Sequence, residues 1–120
     1  MAPAYPAFSI GRSDGDGDPV VFRPSGELDL ATAPELEEAV HGELDGGRAV
    51  VIDLRELEFM DSSGVRVLIA AHASAGDGGE RLRVVRPAKG GTVERILEIA
   101  GVEQALRMVD APANDRPPEA

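Results

Sequence analysis

Val50-Val51-Ile52-Asp53-Leu54-Arg55-Glu56-Leu57-Glu58-Phe59-Met60-Asp61-Ser62-Ser63-Gly64-Val65-Arg66-Val67-Leu68-Ile69 is the stretch whose reading decides the fold. Residues 50–54 form a short, almost unbroken apolar run ending in a polar connection, the pattern of a strand buried on both faces of a parallel sheet. Val65, Leu68 and Ile69, with His72 next in register, then recur at helical spacing. Asp61, Ser62 and Ser63, directly before them, are residue types that favour a helix N-cap. The segment predicts strand, loop, helix, with a serine pair at the helix N-terminus. There the unpaired backbone N–H groups and the positive end of the helix dipole favour an added negative charge.

On the N-terminal side, residues 1–7 hold two prolines and little to bury, so loose order is expected until Phe8 and Ile10 begin an edge strand. Residues 11–19 read as a turn. Within it, Asp14-Gly15-Asp16-Gly17-Asp18 resembles the start of a calcium loop, which needs glycine at its sixth position and a bidentate glutamate at its twelfth. Pro19 and Ser25 stand in those places, so a solvated hairpin loop is the expectation. It joins the first strand antiparallel to a second at Val20, Val21 and Phe22, and residues 26–30 are expected to leave the sheet. Thr32-Ala33-Pro34-Glu35 has the form of a capping box with a proline in the first helical turn. Leu36, Val40 and Leu44 give that helix one apolar stripe, and Gly46-Gly47 ends it.

On the C-terminal side, Gly76-Asp77-Gly78-Gly79 closes the second helix, and Leu82, Val84 and Val85 form a strand stopped by Pro87. A third helix runs from about Thr92, with Val93, Ile96, Leu97 and Ala100 on one face and Gly101 as a left-handed cap. Lys89-Gly90-Gly91 before it is a poor helix start and predicts a late or mobile beginning. Leu106, Met108 and Val109 supply a short last strand, and residues 111–120, with two adjacent prolines, read as a disordered tail. A hairpin followed by alternating strands and helices predicts an α/β fold: one domain over residues 8–110, a mixed β-sheet with an N-terminal antiparallel hairpin, and helices covering one face.

The 120 residues suffice for one core but not two. A formal charge of −10 repels phosphate backbones and anionic lipid, so no direct nucleic-acid or membrane partner is expected, and a basic protein groove is. Zero cysteines exclude disulfides, thiol catalysis and thiolate metal sites. With neither a signal peptide nor an apolar run of bilayer length, the expectation is a soluble, cytoplasmic protein.

Phe59-Met60-Asp61-Ser62-Ser63-Gly64-Val65 resembles the signature of the STAS domain in its stand-alone bacterial form, the anti-sigma factor antagonist. Gly26-Glu27-Leu28-Asp29 and Val93-Glu94-Arg95-Ile96-Leu97-Glu98-Ile99-Ala100-Gly101-Val102 are similar to two further motifs of that family, in family order and spacing. The resemblance spans roughly residues 8 to 110. It implies a phosphorylation-switched binding module, not an enzyme, with no cofactor and no metal. Unphosphorylated, such a protein binds an anti-sigma factor, itself an ATP-dependent serine kinase, and so frees a sigma factor for transcription; a phosphatase reverses the mark. A STAS scaffold or small-ligand sensor subunit, stressosome-like or associated with lipid transport, is the alternative.

By physics alone, Ser62 reads as a helix cap worth about 1 kcal/mol. The resemblance makes it the phosphoacceptor instead, with Ser63 the ordinary cap-region residue. Asp61 either orients the hydroxyl or is simply a helix-start acid. Asp29 and Glu27 read as acids near a helix N-terminus; the resemblance places them on the partner surface, where Asp61, Ser63, Gly64 and Arg66 are also expected. Arg66, one turn after Ser62, is suited to meet a phosphate or a partner carboxylate, the alternative being a solvated surface arginine, which is the commoner case. A catalytic serine is not supported, because Met60 replaces the first glycine of a nucleophile elbow. His72 lies roughly 15 Å along the helix from Ser62, and His41 belongs to the first helix.

Overall fold

A computed structural model describes residues 7–14 and 19–111. Of the stretches expected to be loosely ordered, all but Ala7 and Ala111 lie outside the described residues, as does the inside of the acidic turn, 15–18. The chain runs β1 (Ser9–Ser13), β2 (Val20–Leu28), α1 (Ala33–Asp45), β3 (Val50–Asp53), β4 (Leu57–Met60), α2 (Ser62–Ala73), a 3-10 turn (Asp77–Gly79), β5 (Leu82–Val85), α3 (Thr92–Ala100) and β6 (Met108–Val109). The sheet order is β1-β2-β3-β5-β6, with β1 antiparallel to β2 and the other pairs parallel. Each parallel step carries a helical crossover, as strands joined in that sense require.

Alternation along the strands sorts the core onto two faces. Val20, Phe22, Val50, Ile52, Leu82 and Val84 pack with Leu36, Val40 and Leu44 of α1, Leu68 and Ala71 of α2, and Val93 and Leu97 of α3. All three helices therefore cover one face. Val21, Val51 and Val85 form a smaller cluster on the other, with Val109 against it. At the end of the sheet away from the serine pair, Arg81 donates to the carbonyls of Leu44 (2.9 Å), Arg48 (3.1 Å) and Ser74 (3.3 Å). A cation there satisfies orphan carbonyls and suits the negative ends of α1 and α2.

Two expectations are corrected. Residues 26–28 do not leave the sheet, and residues 57–60 are not loop: β2 runs on to Leu28, and β4 pairs with its last three residues, Gly26↔Leu57, Glu27↔Phe59 and Leu28↔Met60. The nine residues of β2 thus serve β3 along their first half and β4 along their second. Between Gly26 and Glu27 the register shifts, leaving Glu58 as the extra residue of a bulge. The bulge changes the phase of β4, so Leu57 and Met60, three apart, are both buried. α3 begins at Thr92 rather than late, because Glu94 reaches back to accept from the Gly90 N–H at 2.8 Å. Gly101 (φ 69°) caps its end in the left-handed region as expected.

Asp53, at the end of β3, is fully buried. Its carboxylate accepts from Arg55 Nη2 (2.8 Å), Arg55 Nε (3.0 Å), the Arg55 backbone N–H (3.1 Å) and Arg23 Nε (3.0 Å). Burial by itself raises this pKa, but the hydrogen bonds from Arg55 and Arg23 outweigh it and hold Asp53 below its ordinary 3.8. The network therefore stabilises the fold fully above that value and loses its effect as pH falls through the lower folded-state pKa. Asp53→Asn should cost about 1–3 kcal/mol at pH 7, and its deficit against wild type should shrink below pH 4, roughly the unfolded carboxylate range. Urea melts across pH check this; a deficit that does not change with pH contradicts it.

Candidate functional site

The serine motif is set by how α2 meets the ends of β2 and β4. The Asp61 backbone N–H donates to the Leu28 carbonyl at 3.2 Å, which fixes the entry into the helix. Asp61 is the N-cap, its Oδ1 accepting from the Ser63 N–H at 2.8 Å; of the two readings open for it, helix-start acid is the observed one. One turn in, Gly64 is buried. A Cβ there would lie 2.6 Å from Met60 Cγ and 2.9 Å from Leu28 Cδ2, both in fully buried side chains. Gly64, expected on the partner surface, instead lets the helix approach the strands at backbone distance. Ser62, the first residue of the helix, is exposed, and its hydroxyl has no partner among the described residues. Ser63 is half-buried and turned towards α1.

The loop before α1 closes on itself. Asp29 Oδ1 accepts from the N–H groups of Ala31 (3.0 Å) and Thr32 (3.1 Å), and Thr32 Oγ1 accepts from the Asp29 N–H (2.9 Å) while donating to the Glu27 carbonyl (2.8 Å). The expected capping box does not form, since the Thr32 side chain is committed to residues upstream of it rather than to its own helix. Asp29 is thus half-buried and occupied in shaping the loop, whereas Glu27 projects outward from β2. The turn holds Leu30 out at 77% exposure.

Leu30, Ala33, Pro34 and Glu37 on one side and Ser63, Arg66 and Val67 on the other line a groove of about 140 Å³ between the starts of α1 and α2. Ser63 and Arg66 therefore meet residues that sequence reasoning missed. Leu30 carried a signal, being a large apolar residue in a loop with no periodic partner. Ile69, also on α2, adds a side chain 47% exposed. Another depression, of about 370 Å³ beside α3, includes no residue of the serine motif.

The site offers a free hydroxyl, one guanidinium and exposed apolar groups, which suit docking. His72, at the far end of α2, packs so closely on Gly79 that a Cβ there would lie 2.1 Å from its Nδ1. Among the described residues no group of three or more His, Cys, Asp or Glu is arranged to hold a metal ion, and no helix is long and apolar enough to cross a membrane.

This architecture, a mixed sheet in which the ends of β2 and β4 seat a helix bearing an exposed serine, is that of a small α/β module, and the matching family model, described as "Mlab, STAS domain", covers residues 12–110. The chain belongs to the STAS domain family. It is 38% identical over 90 residues to the anti-sigma-F factor antagonist RsfB of Mycobacterium tuberculosis, an alignment covering 73% of this chain and 70% of that protein. The crystal structure of an anti-sigma factor antagonist from Mycobacterium paratuberculosis superposes with a TM-score of 0.76 at 29% identity, over 91% of this chain and 90% of that one. Unphosphorylated SpoIIAA, an anti-sigma factor antagonist at 21% identity, shares the fold with a TM-score of 0.67 over 89% of this chain and 93% of its own.

Two glycine substitutions separate helix propensity from packing. Alanine in a helix gains about 1 kcal/mol over glycine. At Gly42 in α1 a Cβ would have nothing within 4 Å, so Gly42→Ala should stabilise by about 0.5–1 kcal/mol. At Gly64 the overpacking cost of about 1–3 kcal/mol should exceed that gain, because the buried Leu28 and Met60 side chains have nowhere to move. Gly64→Ala should therefore melt below wild type and Gly42→Ala above it; equal behaviour removes the close-approach argument.

Proposed function

We propose that this protein is an anti-sigma factor antagonist switched by phosphorylation of Ser62. Unphosphorylated, it binds an anti-sigma factor that is an ATP-dependent serine kinase, releasing a sigma factor; the phosphorylated form does not bind, and a phosphatase restores it. Family membership and the relatives' names support the first part. The observation that carries the second is the exposed Ser62 hydroxyl, without a partner among the described residues and next in the chain to Ser63, which lines a groove with apolar rims.

Phosphate adds about −1.5 to −2 charges. At a helix N-terminus that charge is locally favourable by about 0.3–1 kcal/mol, so the fold tolerates it. Docking does not. A dianion at the centre of a desolvated interface meets groups placed for a neutral hydroxyl, and every 1.4 kcal/mol lost is about tenfold in affinity. Leu30 and Ile69 supply apolar contact, Arg66 and Glu27 polar contact, and Asp29 holds the loop that presents Leu30.

Incubating the protein with ATP and the anti-sigma factor recovered by a nucleotide-dependent pull-down should add one phosphate, which peptide mapping places at Ser62. Ser62→Ala should abolish labelling, and the phosphorylated protein should bind that partner at least about tenfold more weakly. Labelling at Ser63, or unaltered labelling of Ser62→Ala, overturns the assignment. A scaffold or ligand-sensor STAS protein, the rival reading, gives no nucleotide-dependent partner in the same pull-down.

A further inference from the structure

Arg66 lies four residues after Ser62 on α2 and is the one cation among the described residues that line the groove, opposite Glu37. It is exposed, and no hydrogen bond or ion pair holds its guanidinium among the described residues. Side chains on a helix lean towards the N-terminus, so a residue covers the surface over the turn before its own Cα. Arg66 therefore leans back towards Ser62 and Ser63. Residues four apart hold their Cβ atoms about 5–6 Å from each other, and an anion placed N-terminal to a cation at this spacing is the better orientation. A guanidinium presents a planar fork that fits two oxygens of a phosphate.

From this we propose that Arg66 is an intramolecular reader of the mark: when Ser62 carries phosphate, the guanidinium pairs with it and is withdrawn from the groove between α1 and α2. The inference rests on Ser62 as the phosphoacceptor. It adds that phosphorylation changes the surface twice, placing an anion at residue 62 and removing a cation from beside Leu30 and Pro34. A partner segment whose carboxylate meets Arg66 in the unphosphorylated state loses that contact even where the serine itself is not touched. The charged groups on the elements that meet the start of α2 are acids: Asp61, committed to the Ser63 N–H, Asp29, committed to its own turn, Glu37 across the groove, and Glu27 and Glu58, exposed on β2 and β4. None competes for the phosphate, and Glu37, which shares the groove lining with Arg66, is a rival for the guanidinium.

The test uses full-length protein with phosphoserine installed at position 62 during synthesis, so no kinase is involved. Phosphorus NMR then follows the second phosphate ionisation in wild type, Arg66→Gln, Arg66→Lys and Arg95→Gln. Pairing favours the dianion, so the wild-type pKa should lie about 0.3 unit below that of Arg66→Gln. Arg66→Lys should fall between them, and Arg95→Gln, which removes the same charge from α3, should match wild type. The Arg66 Nε proton should also shift on phosphorylation. An Arg66→Gln pKa equal to wild type, or an Arg95→Gln shift as large, overturns the proposal and leaves the Ser62 switch standing. Failure of kinase labelling at Ser62 would instead remove the switch with the pairing intact.

Discussion

The approach of Gly64 to Leu28 and Met60 is the constraint on which the functional end of the molecule depends. A side chain at that position would collide with two fully buried residues, and overpacking of this kind shifts backbone rather than being absorbed. With only hydrogen there, α2 sits directly on the ends of β2 and β4. The Asp61 N–H can then reach the Leu28 carbonyl, and helix and strand are joined by a backbone bond as well as by packing. Ser62 is exposed because Gly64 is buried: they lie on opposite sides of the first turn, one against the sheet and the other towards solvent. The order Asp-Ser-Ser-Gly is thus a cap, an exposed hydroxyl, a groove residue and a contact point.

Charge is handled in two ways. Asp53 is the one buried polar or charged residue among those described, and it is matched on both sides by arginines that keep part of their surface in water. Such a carboxylate contributes by being satisfied, since an unpaired buried charge is far more costly than the pair is favourable. At the serine end the arrangement is the reverse. Arg66 has no hydrogen-bond or ion-pair partner among the described residues and lies at the surface, next to a helix start that accepts negative charge.

Much of the fold was legible because its signals are local. The apolar run before Asp53, the cap types at 61–63, the stripe Leu36, Val40, Leu44 and the glycine after α3 each follow from short-range rules. β4 was not legible, because the bulge at Glu58 replaces period two with a spacing of three between Leu57 and Met60. Nor was the continuation of β2 beyond Gly26, whose positive φ reads as a turn when seen without its partner strand. Thr32 satisfied the pattern of a capping box, but Glu27 and Asp29, brought close by the loop, offered its hydroxyl better partners. Of the candidate site, the place of the serine pair at a helix start and of Arg66 one turn later could be read from spacing. The groove could not, since Leu30 and Pro34 come opposite Ser63 and Arg66 only through packing of α1 on α2.

The proposed switch works by changing a rigid surface. The sheet and helices need not move for it, since Ser62, the proposed acceptor, faces outward from a helix held at its base by Leu28 and Met60. The most direct measurement is two-dimensional NMR of the amides before and after phosphate is placed on Ser62. The account predicts shifts confined to residues 29–37 and 59–69, the loop, the groove and the start of α2, with β3, β5 and α3 unchanged. Shifts spread through those distant elements, or loss of signals across α2, would contradict it by showing that the mark acts through the fold and not through the surface.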